Sequence, residues 1–298
     1  MWNKKGIFIK PDPSLWWCQT HAMLPTIRHV EENLYDIFYS GRDKKNVSHI
    51  GVSRIEINSD GHLNELYKFS DPALSIGERG CFDDNGVTPS CFINNSIYYI
   101  GWNSGTSTYR MSLIMGLAKC SKTQYDFERV SRAPLLQKTN LEPFGICTAP
   151  CVIIEESLYR MWYVSGEGWL DKDTPLYNIK YCESKDGINW KRDGVVSLKL
   201  LENETALARP WVIKTNNQYE MYFSYKDPSV GYRIGYATSS DGMSFVRQDN
   251  SYGLDVSDSG WDSEMVEYSC VFDYNNTRYM LYNGNNYGIG GIGYAIWS

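Results

Sequence analysis

The sequence lacks the features expected of a nucleic-acid-binding or membrane-spanning protein. Its longest basic runs are pairs such as Lys44-Lys45, and 29 Lys and Arg are outnumbered by 35 Asp and Glu, giving a net charge of −6. A protein that follows the phosphate backbone of DNA or RNA needs a basic stripe, so we expect no nucleic-acid partner. No stretch approaches the ~20 apolar residues that cross a bilayer as a helix, so we expect no membrane span.

Cysteine and histidine are present, but not in the arrangement of metal ligands. There are eight Cys and four His; Cys147 and Cys151 do not have CxxC spacing, and no His cluster accompanies them. This pattern predicts no thiolate metal site, and we expect no cofactor. The apolar run from Gly6 to Ile9 is too short for the core of a signal peptide. Free thiols without such a signal predict a reducing, cytoplasmic location.

Aromatic residues are abundant, at 14% of the chain, with 23 Tyr and 10 Trp. Most are expected to pack on strands, because aromatic side chains suit a pleated, half-buried surface. A minority can stack against sugar rings in a binding site.

One sequence pattern recurs five times. Each copy has an apolar strand near a proline, a short polar turn and a second strand of the form x-Tyr-x-Met/Ile-x-Tyr. The copies are Met23–Asp43, Val87–Gly105, Thr148–Glu167, Ala208–Asp227 and Glu267–Asn286. With Pro25, Pro89, Pro150, Pro210 and Ser269 taken as equivalent, the steps are 64, 61, 60 and 59 residues. A period this constant predicts a repeat architecture.

A third strand follows in every copy, and in three copies a tight turn leads to a fourth strand. SKDGINWKR (Ser184–Arg192) and SSDGMSFVR (Ser239–Arg247) are nearly identical in pattern, and SKTQYDFER (Ser121–Arg129) is a degenerate version. Asp-Gly between apolar strands predicts a hairpin, because glycine accepts the positive φ of the turn. Four short strands per copy are typical of a propeller blade.

We therefore predict an all-β chain forming a single five-bladed β-propeller domain over residues 1–298. The fifth copy reaches Ser298 after three strands, and the strand Gly6–Lys10 has no copy of its own. Placing that strand at the outer edge of the fifth blade removes an exposed sheet edge. A pair of β-sandwiches is the alternative fold, and it explains neither the period nor the missing strand.

The polar segments before the equivalent residues predict the functional site. In a propeller the innermost strand of each blade lines the central tunnel, and its leading residues face one mouth. These segments bring polar side chains toward one axis: Gln19, Thr20, His21, Asp83, Asp84, Glu204, Arg209, Asp262 and Glu264. Several carboxylates around one tunnel repel one another, so their pKa values separate as acid/base catalysis requires. We therefore predict four catalytic carboxylates: Asp83, Asp84, Glu204 and Glu264.

Other candidates are predicted to bind the substrate. They lie in the same segments or in the turns after the second strands: Gln19, His21, Arg42, Trp102, Glu167, Arg209, Lys226 and Asp262. A tryptophan at the mouth can stack against a sugar ring. Arg209 is costly to bury without an anionic partner; Glu204, Asp262 and a ligand phosphate are the alternatives. Turn formation at Asp83-Asp84 and surface ion pairs at Arg42 and Lys226 are the structural alternatives.

The chain resembles the five-bladed propeller glycosidase superfamily: arabinanases and xylosidases, the invertase and levansucrase group, and the mannosyl phosphorylases. The resemblance rests on the repeated P-x-V-I…Y-x-M-x-Y strand pair, the Y-x-I-G-Y-A-x-S-x-D-G-x-x-F/W hairpin and the N-terminal closing strand. It implies a carbohydrate-active enzyme. Hydrolases of that superfamily take a carboxylate from blade one, where this chain has Gln19-Thr20-His21. The phosphorylase branch implies one acid, Asp83 or Asp84, with a phosphate held by basic side chains: His21, Arg42, Arg209 and Lys226.

Three hypotheses about function follow. The first is a glycoside hydrolase or phosphorylase that cleaves or transfers a glycosyl group at a carboxylate-lined pocket, with a carbohydrate or sugar phosphate as substrate. The second is an intracellular sugar transferase or nucleotide-sugar enzyme of glycan biosynthesis. The third is a carbohydrate-binding propeller without catalysis, because a fold does not dictate function.

Overall fold

The computed structural model describes residues 1–120, 125–215 and 218–298, and nearly all of their regular secondary structure is β-strand. The first strands are β1 (Trp2–Ile9), β2 (Thr20–Glu31), β3 (Leu34–Arg42), β4 (Ser48–Ile57), β5 (Leu63–Lys68), β6 (Val87–Ile93), β7 (Ser96–Ser104), β8 (Met111–Cys120) and β9 (Phe127–Arg129). They are followed by β10 (Ile146–Glu155), β11 (Leu158–Trp169), β12 (Pro175–Ser184), β13 (Trp190–Leu198), β14 (Ala206–Thr215), β15 (Gln218–Asp227), β16 (Gly231–Ser239) and β17 (Val246–Arg247). The last elements are α1 (Asp249–Tyr252), β18 (Glu267–Tyr274), β19 (Thr277–Asn283), α2 (Asn285–Gly288) and β20 (Ile292–Trp297).

The strands pair in antiparallel groups of four that follow the sequence repeat. The groups are β2 to β5, β6 to β9, β10 to β13, β14 to β17, and β18 to β20 with β1. Short parallel contacts, β8 with β10 and β12 with β14, join the three middle groups into one hydrogen-bonded sheet. The first strand of each group contacts the first strand of the next, and β18 contacts β2. The prediction of an all-β chain is thereby confirmed.

The N-terminal strand lies where the sequence predicts it. β1 pairs antiparallel with β20, from Trp2 opposite Trp297 to Ile9 opposite Ile292. The strand begins earlier than the predicted Gly6 and covers the edge of the last group. One strand was missed: the first copy also has a fourth strand, β5, which follows an Asp-Gly turn at Asp60-Gly61.

The two Asp-Gly turns form as predicted. Gly187 and Gly242 have φ of 72° and 73°. Before them, the carboxylates of Asp186 and Asp241 accept hydrogen bonds from backbone amides on the far side of each turn, at 2.7–3.0 Å. The third predicted hairpin, Ser121–Arg129, lies partly outside the described residues, and β9 covers its end.

The first strands of four groups share a local distortion near the equivalent proline or serine. In four groups the residue just before the equivalent proline or serine has a left-handed backbone: Leu24, Ala149, Arg209 and Tyr268, with φ between 48° and 58°. The pairing register shifts at the same place in each of these strands. Such a bulge re-aims side chains, and strained backbone of this kind is concentrated at functional sites.

No helix among the described residues is both long and apolar enough to span a bilayer. Burial is concentrated on the second strands, where one position of the repeat is fully buried in every group. That position holds Tyr39, Tyr99, Tyr163, Phe223 and Tyr282. These rings contribute a large apolar area to the core of each sheet, and the tyrosines among them each have a hydroxyl that needs a polar partner.

Candidate functional site

A cavity of about 230 Å³ opens where the first strands begin. The residues just before the equivalent prolines supply much of its wall: Met23, Leu24, Thr148, Ala149, Ala208, Arg209 and Tyr268. Apolar side chains from the second and third strands and from the start of β10 complete one side of it: Ile100, Leu113, Val164 and Ile146. The distorted register of the first strands therefore builds the cavity directly.

Three further cations line this cavity: Arg42, Arg110 and Lys226. Arg42 donates to Asn46 Oδ1 at 2.9 Å and touches Met23 Sδ at 3.9 Å. Lys226 lies 5.7 Å from the centre of the Tyr232 ring. Burial and the positive charge of Arg110 lower the pKa of Arg42, and Tyr268 partly offsets this. The wall is thus positively charged, although the whole chain carries a net negative charge.

Glu267, the first residue of β18, is the most unusual ionisable group beside the cavity. It is 0% exposed, and neither carboxylate oxygen has a hydrogen-bond partner among the described residues. Burial raises the pKa of Glu267 well above its usual range, while Tyr268 and Lys226 act in the opposite direction. Burial disfavours the charged form of such a carboxyl, so Glu267 holds its proton to a higher pH than an exposed glutamate does.

Four tyrosines line the cavity next to this carboxyl: Tyr177, Tyr232, Tyr268 and Tyr287. Each has its pKa raised, first by burial and further by Glu267 among other neighbours. The hydroxyls of Tyr177 and Tyr232 lie 2.9 Å apart, and the pKa of Tyr177 is raised to about 12. These hydroxyls are neutral in the physiological range and can donate or accept hydrogen bonds.

Tyr287 forms part of the rim above Glu267. Its backbone and that of Asn286 are left-handed, with φ of 57° and 56°, a conformation that is rare for residues other than glycine. Its ring meets that of Tyr232 edge to face at 6.2 Å. The left-handed backbone at Asn286 and Tyr287 costs free energy, and it places the Tyr287 ring at the edge of the cavity.

Arg209 is 1% exposed and closes the inner end of the cavity. It donates to Pro25 O at 2.6 Å, to Ser90 Oγ at 3.2 Å and to Ser90 O, and it lies 5.2 Å from the Trp211 ring. Its hydrogen-bond partners are thus carbonyl and hydroxyl oxygens of β2 and β6. Neither Glu204 nor Asp262, the protein partners considered from the sequence, is paired with it. Burial lowers the pKa of Arg209.

The predicted convergence of carboxylates on the tunnel is wrong for Asp83, Glu204 and Asp262. All are buried in ion pairs within separate strand groups: Asp83 with Arg129 at 2.7 Å, Glu204 with Arg247 at 2.8 Å and Asp262 with Lys4 at 2.9 Å. A fourth pair, Glu142 with Arg192 at 2.7 Å, was not predicted. We call these four pairs the carboxylate clamps. In each, the carboxylate precedes the first strand and the cation comes from the outer strand.

Second-strand tyrosines complete three of the carboxylate clamps. Tyr99 donates to Asp83 at 2.9 Å, Tyr163 to Glu142 at 2.7 Å and Tyr282 to Asp262 at 3.0 Å. Residues up to five positions before the equivalent proline still line the cavity, as Thr205 and Ala206 do. Asp83 and Glu204 lie six positions before it, and their side chains pair with the outer strands of their own groups.

The remaining predicted residues lie in different places. Asp84 lines a separate open groove and accepts from Asn103 Nδ2 at 2.7 Å and from Gly80 N at 2.8 Å. Glu264 is exposed, and Glu167 pairs with Lys180 at 3.2 Å. Neither of these two lines the cavity. The cavity brings together four of the predicted residues: Arg42, Trp102, Arg209 and Lys226.

Gln19 and His21 lie at the start of β2, outside the lining. Gln19 is half-buried. His21 has a left-handed backbone with φ of 61°, and its Nδ1 lies 3.0 Å from Thr20 Oγ1. Burial, and then the charge of Arg42, lower the pKa of His21 to about 4, so this imidazole is neutral at physiological pH.

Sequence reasoning missed Glu267, Arg110 and the tyrosine wall. A signal for Glu267 was present in the repeat. The residue two before the equivalent proline is Met23, Val87, Thr148 or Ala208 in the other copies, and Glu267 alone is charged at that position. Among the described residues, no group of three or more His, Cys, Asp or Glu is arranged to hold a metal ion.

Comparison with known proteins adds relatives and a fold. No family model matches the sequence. Two curated relatives, the uncharacterized proteins Rv1502 and MT1551 of two Mycobacterium tuberculosis strains, are each 35% identical over 301 residues, covering 99% of this chain and 98% of the relative.

Three solved structures are similar over nearly the whole chain. A glycoside hydrolase has a TM-score of 0.74 at 17% identity, covering 98% of this chain and 90% of the other. The β-1,2-mannobiose phosphorylase from Listeria innocua has a TM-score of 0.68 at 12% identity, covering 94% and 90%. A thermostable family-43 glycoside hydrolase has a TM-score of 0.66 at 16% identity, covering 97% and 92%. The fold is thus that of the propeller glycosidase superfamily, and the chain belongs to the family of the Mycobacterium tuberculosis protein Rv1502.

Proposed function

We propose that this protein is a carbohydrate-active enzyme that cleaves or transfers a glycosyl group in the 230 Å³ cavity, with Glu267 as the proton donor. The proposal includes a single five-bladed propeller over residues 1–298. The contacts between successive first strands, and between β18 and β2, support a ring of five blades. The solved neighbours with this fold include enzymes that act on glycosidic bonds.

The observation that carries the proposal is the buried, unbonded carboxyl of Glu267. Cleaving a glycosidic bond requires a proton on the departing oxygen as the bond from the anomeric carbon to that oxygen breaks. A carboxylic acid with a raised pKa supplies that proton at neutral pH. The carboxylate clamps do not fit this role, because their oxygens are bound to cations.

A nucleophile must meet the anomeric carbon from the other side. Among the described residues, Asp173 is the one carboxylate that lines the cavity, and it is exposed at the rim. Its position supports either a base that activates water or no direct role when phosphate is the acceptor. Both hydrolysis and phosphorolysis remain within the proposal, since both use one acid and differ in the acceptor.

The test is a turnover assay with a panel of aryl glycosides and oligosaccharides, with and without inorganic phosphate. We expect Glu267→Gln to lower turnover by about 10²–10⁴-fold, the usual contribution of a general acid. Substrates with a good leaving group, which needs little protonation, should lose less. Glu128→Gln changes an exposed glutamate on β9 and is expected to retain wild-type turnover.

Two outcomes would contradict the proposal. Sugar binding without turnover of any glycoside in the panel would favour a binding propeller. If Glu264→Gln abolished turnover and Glu267→Gln did not, the acid predicted from the sequence would be correct.

A further inference from the structure

We infer that the sugar taken by this cavity carries an anionic group, a carboxylate or a phosphate, that binds between Arg42 and Arg110. The inference rests on the proposed function in one respect, namely that the cavity is a sugar site. It concerns the class of substrate and not the chemistry of bond cleavage.

Arg42 has different partners from most half-buried arginines of the fold. Half-buried arginines elsewhere in the fold have carboxylate partners, as at Arg54, Arg129, Arg192, Arg247 and Arg278, and so does the buried Arg160. Arg42 is half-buried as well, but its described partners are an amide oxygen and a thioether sulfur. A guanidinium that lines a cavity and has no carboxylate partner is suited to binding an anion.

Like charges from Arg42, Arg110 and Lys226 meet at one cavity. Arg110 is close enough to Arg42 to lower its pKa, and both line the same cavity with Lys226. Arg110 is anchored by its own backbone, whose amide donates to Lys172 O at 2.9 Å. Like charges that line one cavity repel, and an anion bound there relieves the repulsion. Arg110 is exposed, so solvent screens part of this effect.

The rest of the cavity has a lining that suits a sugar ring. Trp102, Ile100 and Val164 give it an apolar side, which suits the face of a sugar ring, and the tyrosine hydroxyls offer hydrogen bonds. Planar guanidinium groups bind carboxylate and phosphate oxygens in pairs. An acidic sugar would therefore place its ring on the apolar side and its charge at the arginines.

The test measures binding by calorimetry with matched ligands. Glucuronate is compared with glucose, glucose 6-phosphate with glucose, and inorganic phosphate is measured alone. We expect at least one acidic sugar to bind ~10-fold or more tightly than its neutral counterpart, the size of one charge-assisted hydrogen bond. Added salt should reduce this preference, because the arginines are partly solvated.

Substitutions of the two arginines test whether they cause the preference for acidic over neutral sugars. Arg42→Gln and Arg110→Gln should each remove it, and Arg42→Lys should retain part of it, which separates charge from folding. Arg132→Gln, at an exposed ion pair with Glu78, is the matched control and should keep the preference. Each variant is first checked for an unchanged melting temperature, within the spread expected of surface substitutions.

Equal binding of acidic and neutral sugars would overturn the inference. So would inorganic phosphate that binds as tightly as glucose 6-phosphate with the same dependence on Arg42, because the anion would then be a separate ligand and not part of the sugar. The measurements are repeated in Glu267→Gln. A preserved charge preference in a variant with wild-type turnover would refute the proposed acid and leave the substrate class standing.

Discussion

Glu142 and Glu267 are both buried glutamates near the start of a first strand, yet their surroundings are opposite. Glu142 is 2% exposed and accepts hydrogen bonds from Tyr163, Ser165 and Arg192 at 2.7–3.0 Å. Glu267 is 0% exposed and has no hydrogen-bond partner among the described residues. Burial alone therefore does not mark a functional carboxyl. The missing hydrogen bonds set Glu267 apart from Glu142, because a buried carboxyl without them does not stabilise the fold.

The largest expected effect comes from breaking the Glu142 clamp. Glu142→Gln leaves Arg192 without its carboxylate and should lower the free energy of unfolding by about 3–5 kcal/mol, the cost of an unpaired buried charge. Urea unfolding followed by fluorescence measures it. Glu128→Gln, on an exposed position, should stay within about 0.5 kcal/mol of wild type. A similarly small change for Glu142→Gln would show that the clamp does not stabilise the sheet.

The same chemical change at Glu267 is expected to have the opposite sign. Glu267→Gln replaces a carboxyl that burial disfavours as a charge with a neutral group of the same shape, so the melting temperature at neutral pH should rise. Differential scanning calorimetry measures it. A fall in melting temperature would mean that the ionised carboxylate has partners that stabilise it.

The pH dependence sharpens this contrast. Because the pKa of Glu267 is raised in the folded state, the folded state holds the proton more tightly than the unfolded state, whose value is near the ordinary 4.5. The resulting stability is complete below about pH 4.5 and is lost as pH rises through the raised pKa. The stability difference between Glu267→Gln and wild type should therefore widen from pH 5 to pH 8. A constant difference over that range would contradict the assignment.

His21 should produce a smaller effect on the acid side. Its pKa falls from 6.5 to about 4 on folding, through burial and the charge of Arg42. The unfolded chain then binds the proton first, so stability falls as pH drops from about 6.5 toward 4. His21→Asn should flatten this part of the stability profile. Nuclear magnetic resonance titration of the ring measures the pKa directly, and a value near 6.5 would refute it.

The smallest effect is expected in the first strand group, which has no carboxylate clamp. Cys18 is fully buried there and lies 3.9 Å from the Tyr39 hydroxyl, and Lys68 pairs with Glu65 instead. Cys18→Ala should cost about 1 kcal/mol, a typical value for a single substitution. Denaturant unfolding alongside Glu142→Gln gives the comparison. A loss of unfolding free energy as large as that of Glu142→Gln would mean that an uncharged residue stabilises its strand group as much as a carboxylate clamp does.

The sequence predicted the strand groups well because the repeat constrains them. The period located the first and second strands of every copy, and the unpaired N-terminal segment located β1 beside β20. It missed β5, although the turn before it, Asp60-Gly61, has the same Asp-Gly signal as the turns at Asp186-Gly187 and Asp241-Gly242. Strand pairing follows from local patterns and spacing, and these are visible in one sequence.

The candidate site was predicted less well, because side-chain direction near a bulge is not encoded in spacing. Asp83 and Glu204 precede their prolines by six residues, which places them beyond the distorted step and over their own sheets. Arg42, Trp102, Arg209 and Lys226 line the cavity, and their role as binding residues stays a prediction. Glu267 required a comparison of the same position across all copies rather than a search for polar segments.

The pairing of β1 with β20 has a consequence for synthesis. The strand group that carries Glu267 is completed by the first strand of the chain, with Lys4 of β1 bound to Asp262 at 2.9 Å. A nascent chain emerging from the ribosome can form the middle groups early, because their strands are consecutive. β1 can pair only after β20 has been synthesised, so the last strand group and the cavity beside it form last. A prematurely terminated chain therefore lacks the complete site.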